Sequence, residues 1–240
     1  ELREELASLE GRRYVRSAAH LRVIPLVVTY RSRGFIGLGR REITQETGLQ
    51  AEVHTINNIE FKLVQLPDKG FAIGQTQVTQ ALWEAVMGSN PSHFKGPQKP
   101  VENVSWEDSV KFANALSRKL GLTPAYSSDN NNARFVEGAN GFRLPLEAEW
   151  EFAARGGESF EYAGSDNLRK VGWYTDNSGR STHDVARLKP NAYGLYDMSG
   201  NVYEWCSDDD KNPGQHRPGA ARRVERGGGW NYYADLCAVT

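Results

Sequence analysis

The chain has 240 residues, 39% hydrophobic and 25% charged, so it is long enough to bury a core as one large domain or a domain with an extension. Its formal net charge of −1 supplies no basic field for nucleic acid, and nucleic acid is not an expected partner. No apolar run reaches the length of a membrane-spanning helix.

Residues 1–58 read as an N-terminal extension without a motif. Glu1 to Glu10 is a short charged helix. His20 to Tyr30 is β-branched and strand-like, with Pro25 confining it to an edge or a bulge. Arg12, Arg13, Arg16, Arg22, Arg31, Arg33, Arg40 and Arg41 form a basic cluster that reads as a solvated face.

From Ile59 onward the local signals sharpen. Phe61 to Pro67 and Phe71 to Gly74 read as strands. Thr79 caps a helix over Gln80 to Met87, with Leu82, Trp83, Val86 and Met87 as its buried stripe and Gly88 as its stop. Asn90 to Phe94 and Pro97 to Pro100 form a rigid loop. Ser105-Trp-Glu-Asp108 is a capping box with Asp in place of Glu, followed by an apolar face of Val110, Ala113, Leu116 and Leu120. Asp129 to Asn132 is a polar loop tip, and Glu147 to Arg155 is a short helix closed by Gly156 and Gly157. Two main helices in a loop-dominated chain predict an irregular α+β domain over residues 59–240.

The C-terminal part differs in kind. Asn191 to Trp205 and Arg223 to Trp230 alternate glycines with aromatic rings and with Asn, Asp and Glu, and carry few long aliphatic side chains. Such a run is backbone held in an irregular path by glycine turns, stacked rings and side-chain oxygens. Only two cysteines occur, Cys206 and Cys237, too few for a disulfide scaffold and not spaced as a metal knuckle. They read as two buried thiols, or as one disulfide if the protein is exported.

Six ordered motifs carry a family resemblance: Val78-Thr-Gln-x-x-Trp83, Gly88-Ser-Asn-Pro-Ser-His-Phe94, Pro100-Val-Glu-Asn-Val-Ser-Trp106, the stretch from Phe142-Arg-Leu-Pro145 through Trp150 to Gly156, Gly194-Leu-Tyr-Asp-Met-x-Gly-Asn-Val-x-Glu-Trp205, and Arg226-Gly-Gly-x-Trp230. Together they resemble the formylglycine-generating-enzyme, or sulfatase-modifying-factor, family over residues 59–240. The resemblance implies a C-type lectin fold elaborated in that family's manner. Three functions compete: an oxidase, a ligand-binding module and an inert structural domain.

Enzymes of the family hold Cu(I) between two C-terminal cysteines and oxidise a substrate cysteine; two thiolates suit that soft ion. Here the matching segment contains Cys237 alone, and Cys206 sits in the Glu204-Trp-Cys context of a core strand. The related iron-dependent sulfoxide synthases use histidines of an additional helical domain; His20, His54, His93, His183 and His216 show no ligand spacing, and His93 reads as packed and hydrogen-bonded. No catalytic residues are therefore expected.

The family also includes display proteins of diversity-generating retroelements, whose C-terminal surface is varied by adenine-directed mutagenesis. The tail near 230–240 fits that pattern, because Asn231, Tyr232, Tyr233 and Asp235 are residue types that AAC or a single adenine change from it can encode. Trp230 is their rigid neighbour, and Ala234, Leu236, Cys237, Ala238 and Val239 suit scaffold duty. Tyrosine and asparagine give amphipathic contact at low entropy cost, as in antibody paratopes. The other reading is an ordinary polar turn. The resemblance implies a variable-protein or other macromolecular ligand, an extracytoplasmic cell-surface location, and further variable positions beyond Thr240.

The resemblance also implies a structural calcium site, with no cofactor otherwise required. Asp197 and Glu204 would supply carboxylates, and Gly200 and Val202 backbone carbonyls, with water or distant groups completing the shell. The alternative is that Asn201 and Glu204 hydrogen-bond the turn without metal.

Overall fold

The structure is a computed structural model and describes residues 22–23, 27–29, 40–43, 47–211 and 215–240. The expected helix at Glu1 to Glu10 and most of the arginine cluster lie outside these residues. A six-stranded antiparallel sheet has the order β3 (Arg40–Ile43), β4 (Gln50–Ile56), β5 (Ile59–Gln65), β6 (Phe71–Gly74), β2 (Val27–Thr29) and β7 (Phe142–Arg143). In a second sheet β1 (Arg22–Val23) lies parallel to β8 (Tyr203–Asp209), which pairs antiparallel with β9 (Arg223–Arg226).

The sheets run across the boundary expected at residue 58. β4 and β5 form a hairpin through Asn57 and Asn58, whose φ values of 47° and 66° are the left-handed pair that a two-residue type I′ turn requires. Asparagine tolerates that region better than other side chains. Both faces of β4 are covered: Ala51 and Val53 are buried on one side, Glu52 and His54 on the other. The apolar-polar alternation of a strand is present in the sequence here, with the polar face buried as well. The segment expected as one strand from His20 to Tyr30 supplies strands to both sheets, and β2 lies inside the larger sheet, not at its edge.

The helices form where their signals place them. Thr79 Oγ1 accepts from the Leu82 amide at 3.3 Å to start α1 (Gln80–Met87), and Gly88, at φ 78°, ends it. Ser105 and Asp108 exchange both capping-box hydrogen bonds at the head of α2 (Trp106–Lys119). Trp83 of α1 stacks on Phe112 of α2, ring centroids 4.9 Å apart, inside the main core. A third helix, α3 (Glu147–Arg155), is as substantial as α1 and buries Trp150 completely. Asp208 Oδ2 accepts from the Glu147 amide at 2.6 Å, so β8 caps this helix from outside it.

Three buried clusters result: one around α1, α2 and β5, one around Trp150, and a small one of Tyr162, Leu168, Val171, Tyr174 and Cys237. His216 ties β8 to the preceding loops. Its Nε2 faces the Ala133 carbonyl at 2.7 Å, and its Nδ1 lies 3.0 Å from Ser207 Oγ and 3.2 Å from the Ser207 carbonyl. Burial holds the His216 pKa below its ordinary 6.5. The unfolded chain therefore takes this proton first. Stability from His216 is complete above pH 6.5 and is lost as pH falls through the lowered folded value. A proton NMR titration should place the His216 midpoint below 6.5; a midpoint at or above that value would contradict the buried neutral ring.

Candidate functional site

The tail starts where β9 ends and its path is set by hydrogen bonds to the backbone. The Gly200 amide donates to the Gly227 carbonyl at 2.6 Å, and the Trp230 amide to the Asn201 carbonyl at 2.8 Å. Further along, Ser178 Oγ donates to the Trp230 carbonyl at 2.8 Å, and the Thr175 amide to the Tyr232 carbonyl at 3.0 Å. Ala234–Cys237 is a 3₁₀ turn that folds back over Gly228. Cys237 and Val239 are buried, in the small cluster and in the Trp150 cluster respectively. The Val239 amide donates to the Glu161 carbonyl at 3.0 Å.

This path presents the expected contact residues unequally. Tyr233 is 74% exposed, and Asp235 is exposed beside it. Tyr232 is half-buried, edge-on to Tyr203 at 4.8 Å. Trp230 and Asn231 are also half-buried, and Trp230 meets Phe94 edge-on at 5.3 Å. Trp230 to Asp235 thus lie together on one short stretch. Two expectations need correction. Leu236, assigned to the scaffold, points outward and is 38% exposed, because the 3₁₀ turn sends Cys237 inward instead. His93, expected to be packed, is exposed and lies edge-on to Phe94 at 4.7 Å.

Beneath the tail, Asp197, Gly200, Val202 and Glu204 come together as the resemblance implies, but around a residue the sequence reading missed. The carbonyls of Asp197, Gly200 and Val202 and Oε1 of Glu204 all accept from Gln77 Nε2, at 3.1, 3.4, 3.0 and 3.0 Å. Oδ2 of the Asp197 carboxylate accepts from the Ala186 amide at 2.8 Å, and its buried Oδ1 has no hydrogen-bond partner. Asn201 exchanges hydrogen bonds with the His183 backbone. Trp150 Nε1 donates to Glu204 Oε2 at 2.7 Å. Burial pushes the Asp197 carboxyl up to about 6 and Glu204 up to about 7, outweighing the hydrogen bonds that favour the charged forms. A lone glutamine ahead of the Thr79 cap carries no sequence signal for this role.

The two thiols are free and lie in different clusters. Burial raises the Cys206 pKa well above the ordinary thiol value and pushes Cys237 up to about 12. Both are held as neutral thiols at physiological pH. Among the described residues, no three His, Cys, Asp or Glu side chains gather as a metal-binding group.

Residues 38–240 match the sulfatase-modifying factor enzyme 1-like domain. The chain belongs to this sulfatase-modifying-factor family. The match begins at residue 38, ahead of the expected boundary, in agreement with the strands that precede it. The domain is 41% identical over 204 residues to the chaperone protein LppX of Paenibacillus barcinonensis, covering 70% of this chain and 71% of that protein. It is 32% identical over 184 residues to the formylglycine-generating enzyme of Streptomyces coelicolor, covering 67% of this chain and only 51% of the enzyme. Among solved structures, Treponema denticola variable protein 1 superposes with a TM-score of 0.69 at 37% identity, over 79% of this chain and 91% of that one. The fold is the α+β, C-type-lectin-like fold of these proteins. No helix among the described residues is long and apolar enough to cross a membrane.

The tail depends on Gly228 of this domain. Its φ is +70°, and an added Cβ would lie 2.5 Å from Cys237 Sγ and 2.6 Å from the Leu236 carbonyl oxygen. Gly228→Ala should destabilise the chain by roughly 2–4 kcal/mol, read from urea unfolding, through left-handed strain and overpacking. An unchanged urea midpoint would show that the tail is not anchored there.

Proposed function

We propose that the chain is a non-enzymatic display domain that binds a protein or other macromolecular ligand through its C-terminal surface. Asn231, Tyr232, Tyr233 and Asp235 make the contact, with Trp230 as a rigid neighbour, and a retroelement diversifies these positions. The observation that carries this reading is a division of labour within the tail. Its backbone and its Cys237 and Val239 side chains are fixed by burial and hydrogen bonds, while Tyr233 and Asp235 stand in solvent. Positions of the second kind can change without altering the path of the chain. Similarity to the treponemal variable protein over most of both chains supports the same reading. A location outside the cytoplasm, at the cell surface, fits a domain that meets foreign ligands.

Oxidase chemistry has less support. A Cu(I) site of the family's kind needs two thiolates at one ion. Cys206 and Cys237 are neutral and packed into separate clusters. A second binding reading follows from the 41% identity to a protein named as a chaperone, in which the same surface holds an unfolded polypeptide.

The gene's neighbourhood tests diversification. A near-identical copy of the 3′ end, with adenines at the Asn231, Tyr232, Tyr233 and Asp235 codons and a reverse transcriptase beside it, is the expected finding. Without these, the undiversified readings stand. Binding is tested on an array of folded extracellular proteins and on a set of unfolded polypeptides. Tyr233→Ala should lower affinity at least about tenfold while shifting stability by less than about 0.5 kcal/mol. Tyr232→Ala should cost about 1 kcal/mol of stability as well, through the lost Tyr203 contact. Equal capture of many unfolded chains would favour the chaperone reading.

A further inference from the structure

The turn from Asp197 to Val202 has an unusual backbone. Asp197, Gly200 and Asn201 have φ values of 59°, 86° and 62°. Gly200 has no alternative, because a Cβ there would lie 2.4 Å from the Trp173 carbonyl oxygen. This backbone aims three carbonyls at one point, and Glu204 Oε1 reaches the same point from β8. Convergent oxygens of this kind are what calcium selects, at 2.3–2.6 Å as a general range.

The residues present do not fit that ion. The point of convergence holds Gln77 Nε2, at 3.0 to 3.4 Å from the four oxygens, which are hydrogen-bond lengths. Gln77 is 2% exposed and arrives from the segment between β6 and the Thr79 cap. The Asp197 carboxylate, which the resemblance assigns to the shell, is not among the groups around Gln77 Nε2: its Oδ2 accepts from the Ala186 amide and its buried Oδ1 has no hydrogen-bond partner.

We propose that the Gln77 amide does in this chain what the family's cation does in its enzymes, closing the oxygen cluster with an uncharged donor built into the fold. The amide supplies two protons to four acceptors and lies where an ion would have to sit. The turn beneath the tail is then held without metal, and no step of folding or binding depends on calcium. This inference is independent of the proposed ligand.

Calorimetry of the full chain in EDTA and in millimolar calcium tests it. The expected result is one melting midpoint in both buffers and no heat of binding when calcium is titrated into the chain. Stoichiometric calcium binding, or a midpoint raised by about 4 °C or more, would overturn the proposal. Gln77→Glu supplies a second readout, since it sets a carboxylate oxygen against four others. Its midpoint should fall in EDTA and recover with calcium; a variant that gains nothing from calcium would show that these oxygens are not a cation's place.

Discussion

Four buried oxygens that repel one another impose the main constraint on the C-terminal part of the molecule. Three are backbone carbonyls of the Asp197 to Val202 turn and one belongs to Glu204. In a medium of low polarity such a cluster stands only with a donor at its centre. Gln77 brings that donor from a segment 120 to 127 positions earlier, so the turn and the segment ahead of α1 depend on each other in the folded state. Trp150 closes the second oxygen of Glu204 from α3. One carboxylate thus ties together β8, α3 and the approach to α1. Burial holds the Glu204 carboxyl up to about 7 despite both hydrogen bonds.

The tail inherits its position from this turn. The amide of Gly200 and the carbonyl of Asn201 are the partners of Gly227 and Trp230, so the oxygen cluster and the tail are two sides of one backbone layer. Anchoring by backbone groups has a consequence for sequence. Main-chain hydrogen bonds do not depend on side-chain identity, and the inward-facing Cys237 and Val239 fix the far end. The outward positions are free of structural duty to different degrees, Tyr233 most and Tyr232 least. A diversified surface of the kind proposed needs that separation.

Much of this was legible in the sequence where a local rule decides structure. The Thr79 and Ser105 caps, and the Gly88 and Gly156 stops, act over three or four residues, and each formed as the local chemistry dictates. The Asn57-Asn58 hairpin was missed although Ala51 to His54 alternates apolar and polar residues, because Asn-Asn is a weaker turn signal than Asn-Gly or Asp-Gly. Gln77 was missed for a different reason. Its four partners lie 120 to 127 positions away, and a polar residue before a helix cap carries no local mark of such a task. Leu236 and His93 failed for a third reason: hydrophobic identity and ring chemistry do not reveal which way an irregular loop points its side chains.

Membership in a family that contains enzymes leaves the chemistry to be decided by the site. A thiol oxidase needs two sulfurs that ionise, meet at one metal and face a substrate. The fold instead uses Cys206 to fill the core beneath Trp150 and Cys237 to pin the tail under Gly228. Both are small apolar groups in these places, and burial suppresses the ionisation that would make them ligands. Cys237 cannot be freed without lifting the 3₁₀ turn that carries Tyr233 and Asp235. The same contact that buries this sulfur therefore holds the proposed binding surface in shape.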